Sequence, residues 1–204
     1  MLKKLHDAIL YLDYTAWYYL NTQWHTPILD AILPYFRNQW TWAPLYLFLL
    51  VFMPLNFGKK GWLWCLGFLI SFTLSDQLSA HLMKPYFHRL RPCNNPYLAG
   101  IVHNIVPCGG GLSFPSSHAA NHFCLAIFMG ITLQYRFRWI WPVAILWAAI
   151  VAYSQVYVGV HFPLDVSFGA ITGICCGMIT GSVFNRYFPL SPVKRNTNLS
   201  STSR

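Results

Sequence analysis

The sequence contains no glutamate, and its only acids are Asp7, Asp13, Asp30, Asp76 and Asp165. Charged residues are 9% of the 204, whereas a soluble domain has about 25%. So little charge cannot cover a wetted globular surface, and a soluble fold is excluded. What the chain has instead is 55% hydrophobic residues, nine tryptophans and a mean hydropathy of +0.40, the make-up of an integral membrane protein. Its net charge of +9 comes without a basic stripe or a nucleic-acid-binding motif. Basic cytoplasmic loops and anionic lipid therefore explain it, and nucleic acid does not. A cleavable leader is not expected. Lys3 and Lys4 precede an apolar stretch, but Asp7 and Asp13 interrupt it and no small-residue cleavage site follows.

The fold class expected is all-α, a polytopic transmembrane helical bundle. Residues 2–20 gather Leu5, Ile9, Leu12, Ala16 and Leu20 on one helical face and leave Lys3, Lys4, Asp7 and Asp13 off it, the pattern of a helix lying in the interface. A short piece at 28–36, with Asp30 and Arg37, is placed at the surface as well. About 20 apolar residues cross a bilayer, and 40–57, 62–83, 118–133, 139–157 and 165–184 meet that test. Trp40, Trp42, Trp62, Trp64, Trp139 and Trp141 stand at their ends as interfacial anchors. The count is five spans, or six if the N-terminal segment inserts. One domain, 1–188, is expected, with an interfacial region at 1–39, a catalytic core at 84–165, and a disordered cytoplasmic tail at 189–204.

Parity puts Lys59, Lys60, Arg136, Arg138, Arg186, Lys194, Arg195 and Arg204 on one face with no acid, so that face and the C-terminus are cytoplasmic by the positive-inside rule. The polar stretches lie on the opposite face. Gly169, Gly173, Gly177 and Gly181, each four apart on the last span, form a ridge on which a helix packs closely. Packing within the chain is preferred over a dimer seam, and the oligomeric state stays open.

Three stretches on the outer face carry chemistry. Lys84, Arg89 and Arg91 close the second span, cations suited to phosphate or, more simply, to lipid headgroups. The loop then reaches Gly109-Gly110-Gly111 and Pro115-Ser116-Ser117-His118, where small residues and a helix N-terminus can face an anion. His122 follows His118 at i+4, but no acidic ligand accompanies the pair, so neither a metal nor another cofactor is expected. Lastly, Pro163 starts a helix with Asp165 in its first turn, four residues after His161. The carboxylate can fix one ring nitrogen and leave the other as base or nucleophile. For this segment alone an interfacial histidine beside an N-terminal Asp is the simpler reading, and the two earlier stretches reverse the balance.

Together these stretches resemble the type-2 phosphatidic-acid phosphatase superfamily of membrane lipid phosphatases. The family motif K-x6-RP is matched by Lys84 through Arg91-Pro92, PSGH by Pro115-Ser116-Ser117-His118, and SR-x5-H-x3-D by Ser154-Gln155, His161 and Asp165. The resemblance implies a metal-free, two-step phosphoryl transfer. In it His161 becomes phosphohistidine with Asp165 stabilising its imidazolium, and His118 protonates the leaving oxygen and then helps activate water. Lys84, Arg91 and the Ser116–Ser117 amides would hold phosphoryl oxygens. Two positions depart from the pattern. Ser117 replaces a glycine, which implies either a non-glycine backbone conformation or mild strain. Gln155 replaces an arginine, which removes one charge from the clamp and leaves a hydrogen-bond donor there, with Arg89 available to lean in.

Buried Asp76 is expected either to act toward His81, Lys84 or His118 or simply to bridge helices. Cys93 and Cys108 share the long outer loop and are expected to form a disulfide, while Cys65, Cys124, Cys175 and Cys176 read as small buried apolar residues. The partner is a lipid phosphate within the bilayer, at the outer face of a bacterial inner membrane. Undecaprenyl diphosphate is the first choice, followed by phosphatidylglycerol phosphate, phosphatidic acid and lipid A phosphate. A non-catalytic lipid-phosphate receptor or transporter, and a vanadate-dependent haloperoxidase sharing the motifs, are the rival readings.

Overall fold

The computed structural model describes residues 1–190, and within them every regular element is helical. α1 (Leu2–Trp17) runs into a π-turn (Tyr18–Gln23), and α2 (Pro27–Arg37) follows. The hydrophobic helices α3 (Ala43–Phe57) and α4 (Lys59–Asp76) come next; α4 continues through a π-turn (Gln77–Met83) into the single turn α5 (Lys84–Phe87). After the long loop come α6 (Ser117–Leu133), α7 (Ile140–Tyr157) and α8 (Pro163–Tyr187).

Helix boundaries follow the local chemistry. Thr26 caps α2 by accepting from the Leu29 N–H at 3.3 Å, with Pro27 at the first helical position. Ser116 caps α6 through the Ala119 N–H at 3.4 Å. α5 ends at His88, whose φ of 50° is left-handed, and the chain then turns away over the bundle end.

α6 is the axis, with both α7 and α8 packed along it. The glycine ridge of α8 lies on α6 of the same chain. A Cβ on Gly169 would come within 2.3 Å of the Ser116 carbonyl oxygen, and one on Gly173 within 2.1 Å of the Ala120 carbonyl oxygen. Gly177 and Gly181 face Ile127 and Ile131. α8 can lie this close only because these positions carry no side chain. Polar side chains tie the apolar helices together: Trp64 Nε1 donates to Thr132 Oγ1 at 2.7 Å and Ser71 Oγ to Thr180 Oγ1 at 2.8 Å. Where no water is available such groups must find partners inside the bundle.

Outward, Leu47, Phe48, Leu55, Leu66, Leu69, Leu146 and Ile179 are exposed. An apolar belt of this extent requires a hydrocarbon surround. Four helical stretches, Gln39–Phe57, Lys59–Leu98, Ile140–Tyr157 and Pro163–Tyr187, are long and apolar enough to cross a membrane. α6 has 17 residues, so its length of about 25 Å is at the short end for a span, and it is the most enclosed helix of the bundle.

The N-terminal region packs against the end of the bundle through one face: Asp13, Trp17, Asn21 and Leu33 are buried. Asn21 donates to the carbonyl oxygens of Tyr157 (2.6 Å) and His103 (2.9 Å), which fastens the first π-turn to the end of α7. Residues 189 and 190, expected in the tail, are instead packed on the bundle. Leu190 is buried in the core and the Pro189 carbonyl accepts from Lys60 Nζ at 2.8 Å; residues 191–204 lie outside the described part.

Candidate active site

The site forms at the end of the bundle where α4 and α7 finish and α6 and α8 begin. The turn between α7 and α8 is tight: the His161 and Val160 N–H groups both donate to the Gln155 carbonyl. Gly159 has φ +81°, and a Cβ there would sit 2.8 Å from Val102, so only glycine fits. His161 is thereby held in the interior, 1% exposed. Asp165, also buried, points one carboxylate oxygen at the ring, with Oδ2 3.5 Å from His161 Nδ1. The same Oδ2 accepts the Phe162 N–H at 2.8 Å and a hydrogen bond from Ser113 Oγ. Nδ1 is thus the oriented nitrogen and Nε2 the free one. Burial holds the His161 ring below the ordinary histidine range. The Asp165 hydrogen bond and charge pull the other way, and the Arg91 and Lys84 charges add to the depression.

The cations close around this ring from the other elements. Lys84 Nζ donates to Ser117 Oγ at 3.3 Å, joining the first and second motifs. Arg91 Nη1 donates to the Cys108 carbonyl at 3.2 Å, and its Nε is buried without a partner. Cys93 and Cys108 are joined by a disulfide, with Cα atoms 5.8 Å apart. The Cys93 N–H bonds the Gly159 carbonyl at 3.1 Å, so the bridge fixes the Arg91 loop directly to the His161 turn.

Several expected roles change. Ser116 does not offer its amide to a phosphate, because that N–H donates to the Asp165 carbonyl at 2.9 Å and its hydroxyl caps α6. The open first-turn amides of α6 are those of Ser117 and His118. Ser117 itself is unstrained, being the first residue of a right-handed helix. Arg89 does not lean toward a phosphate. Its Nη1 donates to Asp165 Oδ1 at 2.6 Å, its Nη2 pairs with Asp13, and its guanidinium lies 4.1 Å over the Phe162 ring. Of the two roles open for Asp76 the helix bridge is the one seen: its Oδ1 accepts from Asn121 Nδ2 at 2.8 Å, which joins α4 to α6. Gln155 is fully buried with both amide atoms unpartnered.

Sequence reading missed Asp13, Ser113 and Arg37. Asp13 is one of only five acids and interrupts an apolar helix, which was a signal; its partner, 76 residues away, was not legible. Arg37, assigned to the surface, instead shares a cleft of about 430 Å³ with His118, lined also by Tyr35, Asn38, Gln39 and Val106. Burial, then the charge of Arg91, holds its guanidinium below its ordinary value.

His122 Nδ1 donates to the His118 carbonyl at 2.9 Å, its ring packs edge-on to Trp147, and its Nε2 is buried without a partner. Among the described residues, His25, Asp30 and His103 are the one group whose ligating atoms approach within 4.8 Å. The two imidazoles stack almost parallel, which keeps their lone pairs in separate planes. Asp30 is already engaged by Tyr157 Oη at 2.6 Å and His103 Nε2 at 3.0 Å. This group latches α2 to α7.

The family model of the PAP2 superfamily matches residues 60–188. The lipid A 4'-phosphatase of Bacteroides thetaiotaomicron is 38% identical over 153 residues, 73% of this chain and 67% of the relative. That of Porphyromonas gingivalis is 34% identical over 179 residues, 86% and 72% of the two chains. The crystal structure of Aquifex aeolicus LpxE superposes with a TM-score of 0.64 at 28% identity, over 83% of this chain and 94% of that one. A transmembrane helical fold, three motifs gathered around one buried histidine, and a family match that spans all three place this chain in the PAP2 superfamily of membrane lipid phosphatases.

Proposed function

We propose that the protein removes a phosphate monoester from a lipid A-type glycolipid, through a phosphohistidine on His161. The observation that carries the chemistry is the buried His161 ring, oriented at Nδ1 by Asp165 and approached by Lys84 and Arg91. Nε2 attacks phosphorus as the bond to the lipid oxygen breaks, and that oxygen takes its proton from His118. Water then attacks the phosphohistidine, returning a proton to His118 and releasing inorganic phosphate. Lys84, Arg91 and the Ser117 and His118 amides hold the phosphoryl oxygens, and the unpaired Gln155 amide supplies a neutral donor where the family pattern has a guanidinium. Catalysis of this kind rests on positioning and on stabilising charge, which fixed cations and amides provide.

The glycolipid replaces undecaprenyl diphosphate as first choice for two reasons. The relatives described above are lipid A 4'-phosphatases, and the cleft beside His118 is lined by Tyr35, Asn38 and Gln39, side chains suited to sugar hydroxyls. The site opens on the outer face of a bacterial inner membrane. Lys59, Lys60, Arg136, Arg138 and Arg186 support this by lying at the opposite end of the helices from His161. The test is phosphate release by purified protein from a panel of lipid phosphates. Faster turnover of isoprenyl diphosphate than of the glycolipid would overturn the substrate assignment, and absence of an acid-labile phosphoenzyme would overturn the mechanism.

A further inference from the structure

Arg37 is a cation near the site that no family motif assigns. Among the described residues no carboxylate lies within ion-pair distance of it, and its Nε is buried without a partner. A guanidinium that is partly desolvated and close to a second arginine is unfavourable unless an anion joins it. Arg89 cannot share such an anion, being held by Asp13 and Asp165.

The cleft that holds Arg37 also fixes where such an anion would sit. His118, the proposed proton donor to the leaving oxygen, is part of its lining. In-line displacement puts the nucleophile and the leaving group on opposite sides of phosphorus. With His161 as the nucleophile, the leaving group must depart on the His118 side, into this cleft. The scissile phosphate already has Lys84, Arg91 and two helix amides, and at neutral pH a monoester carries about two negative charges. A further cation on the leaving-group side matches charge that the leaving group itself carries.

We infer that the cleft between α2 and His118 is a leaving-group subsite in which Arg37 binds a second oxyanion of the substrate. That oxyanion is either the carboxylate of an acidic sugar next to the phosphorylated position or the remaining phosphoryl group of a diphosphate. The forked, planar guanidinium suits both. This inference rests on the His161-nucleophile, His118-acid reading and deepens it.

The test compares wild type, Arg37→Gln and Arg37→Lys in detergent, each on four substrates. Two are a lipid A-type monophosphate with and without an adjacent acidic sugar; the others are an isoprenyl diphosphate and its monophosphate. The readout is the ratio of kcat/KM between the substrate with the second anion and its partner without it. A ratio taken within one preparation is insensitive to the fraction of folded protein. Arg37→Gln should lower that ratio about 10- to 100-fold in one pair, chiefly through KM, as loss of a charge-assisted hydrogen bond does. Arg37→Lys should recover part of it, and the affected pair identifies the source of the oxyanion. A ratio unchanged in both pairs would overturn the subsite, as would a loss confined to kcat. If the glycolipids are not hydrolysed but the isoprenyl ratio depends on Arg37, the glycolipid assignment fails and the subsite stands.

Discussion

Arg89 Nη1 lies 2.6 Å from Asp165 Oδ1, so the cation expected to assist the phosphate instead steadies the carboxylate beside the proposed nucleophile, His161. Its other arm holds Asp13, whose Oδ1 accepts the Leu164 N–H at 2.7 Å. α1, the loop after α5 and the first turn of α8 are thereby clamped around the His161 turn. Two carboxylates against one guanidinium also leave negative charge beside His161, which would favour the imidazolium-like phosphohistidine of the proposed mechanism.

Removing Arg89 should therefore damage both stability and rate. Arg89→Ala leaves two buried carboxylates unpaired, a change that typically costs about 3–5 kcal/mol. The thermal midpoint in detergent should fall, and kcat should fall with it. Asp13→Asn, which keeps the shape and one acceptor, should be milder in both. A full-rate, full-stability Arg89→Ala protein would show that the clamp is dispensable.

The two histidines of the proposed mechanism, His161 and His118, should separate kinetically. His161→Ala should abolish turnover and phosphoenzyme together. His118→Ala should slow formation and hydrolysis of the phosphoenzyme by about 10²- to 10⁴-fold, the usual reach of general acid–base catalysis. Activity should persist in EDTA. Acid-labile phosphate trapped on the His161→Ala protein would reassign the nucleophile.

Gln155 offers a test in which structure and function pull apart. Its amide is buried and unpaired, so Gln155→Leu should leave the thermal midpoint level or raised. If the amide donates to the phosphate, KM should rise about tenfold in the same protein. Gln155→Arg should fold and lower KM. Unchanged kinetics in both variants would place this side chain off the phosphate.

The pH dependence follows from His161. Its pKa is depressed from about 6.5 by burial, and the neutral ring is the proposed nucleophile. Its contribution to the acid limb of kcat/KM should therefore fall below the ordinary imidazole range. Between the depressed folded pKa and the unfolded value, the unfolded chain binds more protons, so stability should decline as pH falls through that window. His161→Gln should flatten this part of the stability profile. A stability that rises on acidification there would contradict the assignment.

The disulfide links the second cysteine's carbonyl, which accepts from Arg91, to the turn that carries His161. A loop of 15 residues closed in this way is worth about 3 kcal/mol in the chain-entropy estimate. Reduction should lower the thermal midpoint and raise KM, and the Cys93→Ser, Cys108→Ser double substitution should reproduce both. Alkylation of both thiols without prior reduction would remove the bridge from the account.

The sequence by itself determined the class of this protein and the positions of its three motifs. Without enough charge to cover a surface it had to be a membrane bundle, and Lys84, Arg91, His118, His161 and Asp165 were legible because each motif sits within a few residues or one helical turn. The α8 ridge was visible for the same reason, as a repeat of four. What only the tertiary structure decided depends on pairs far apart in the chain. Arg89 with Asp13 and Asp165, Asp76 with Asn121, Ser116 with the Asp165 carbonyl and Arg37 beside His118 are such pairs. Spacing rules describe one helix at a time and carry no information about which helix ends meet. A side chain with the right chemistry takes its role from the partner that packing brings to it.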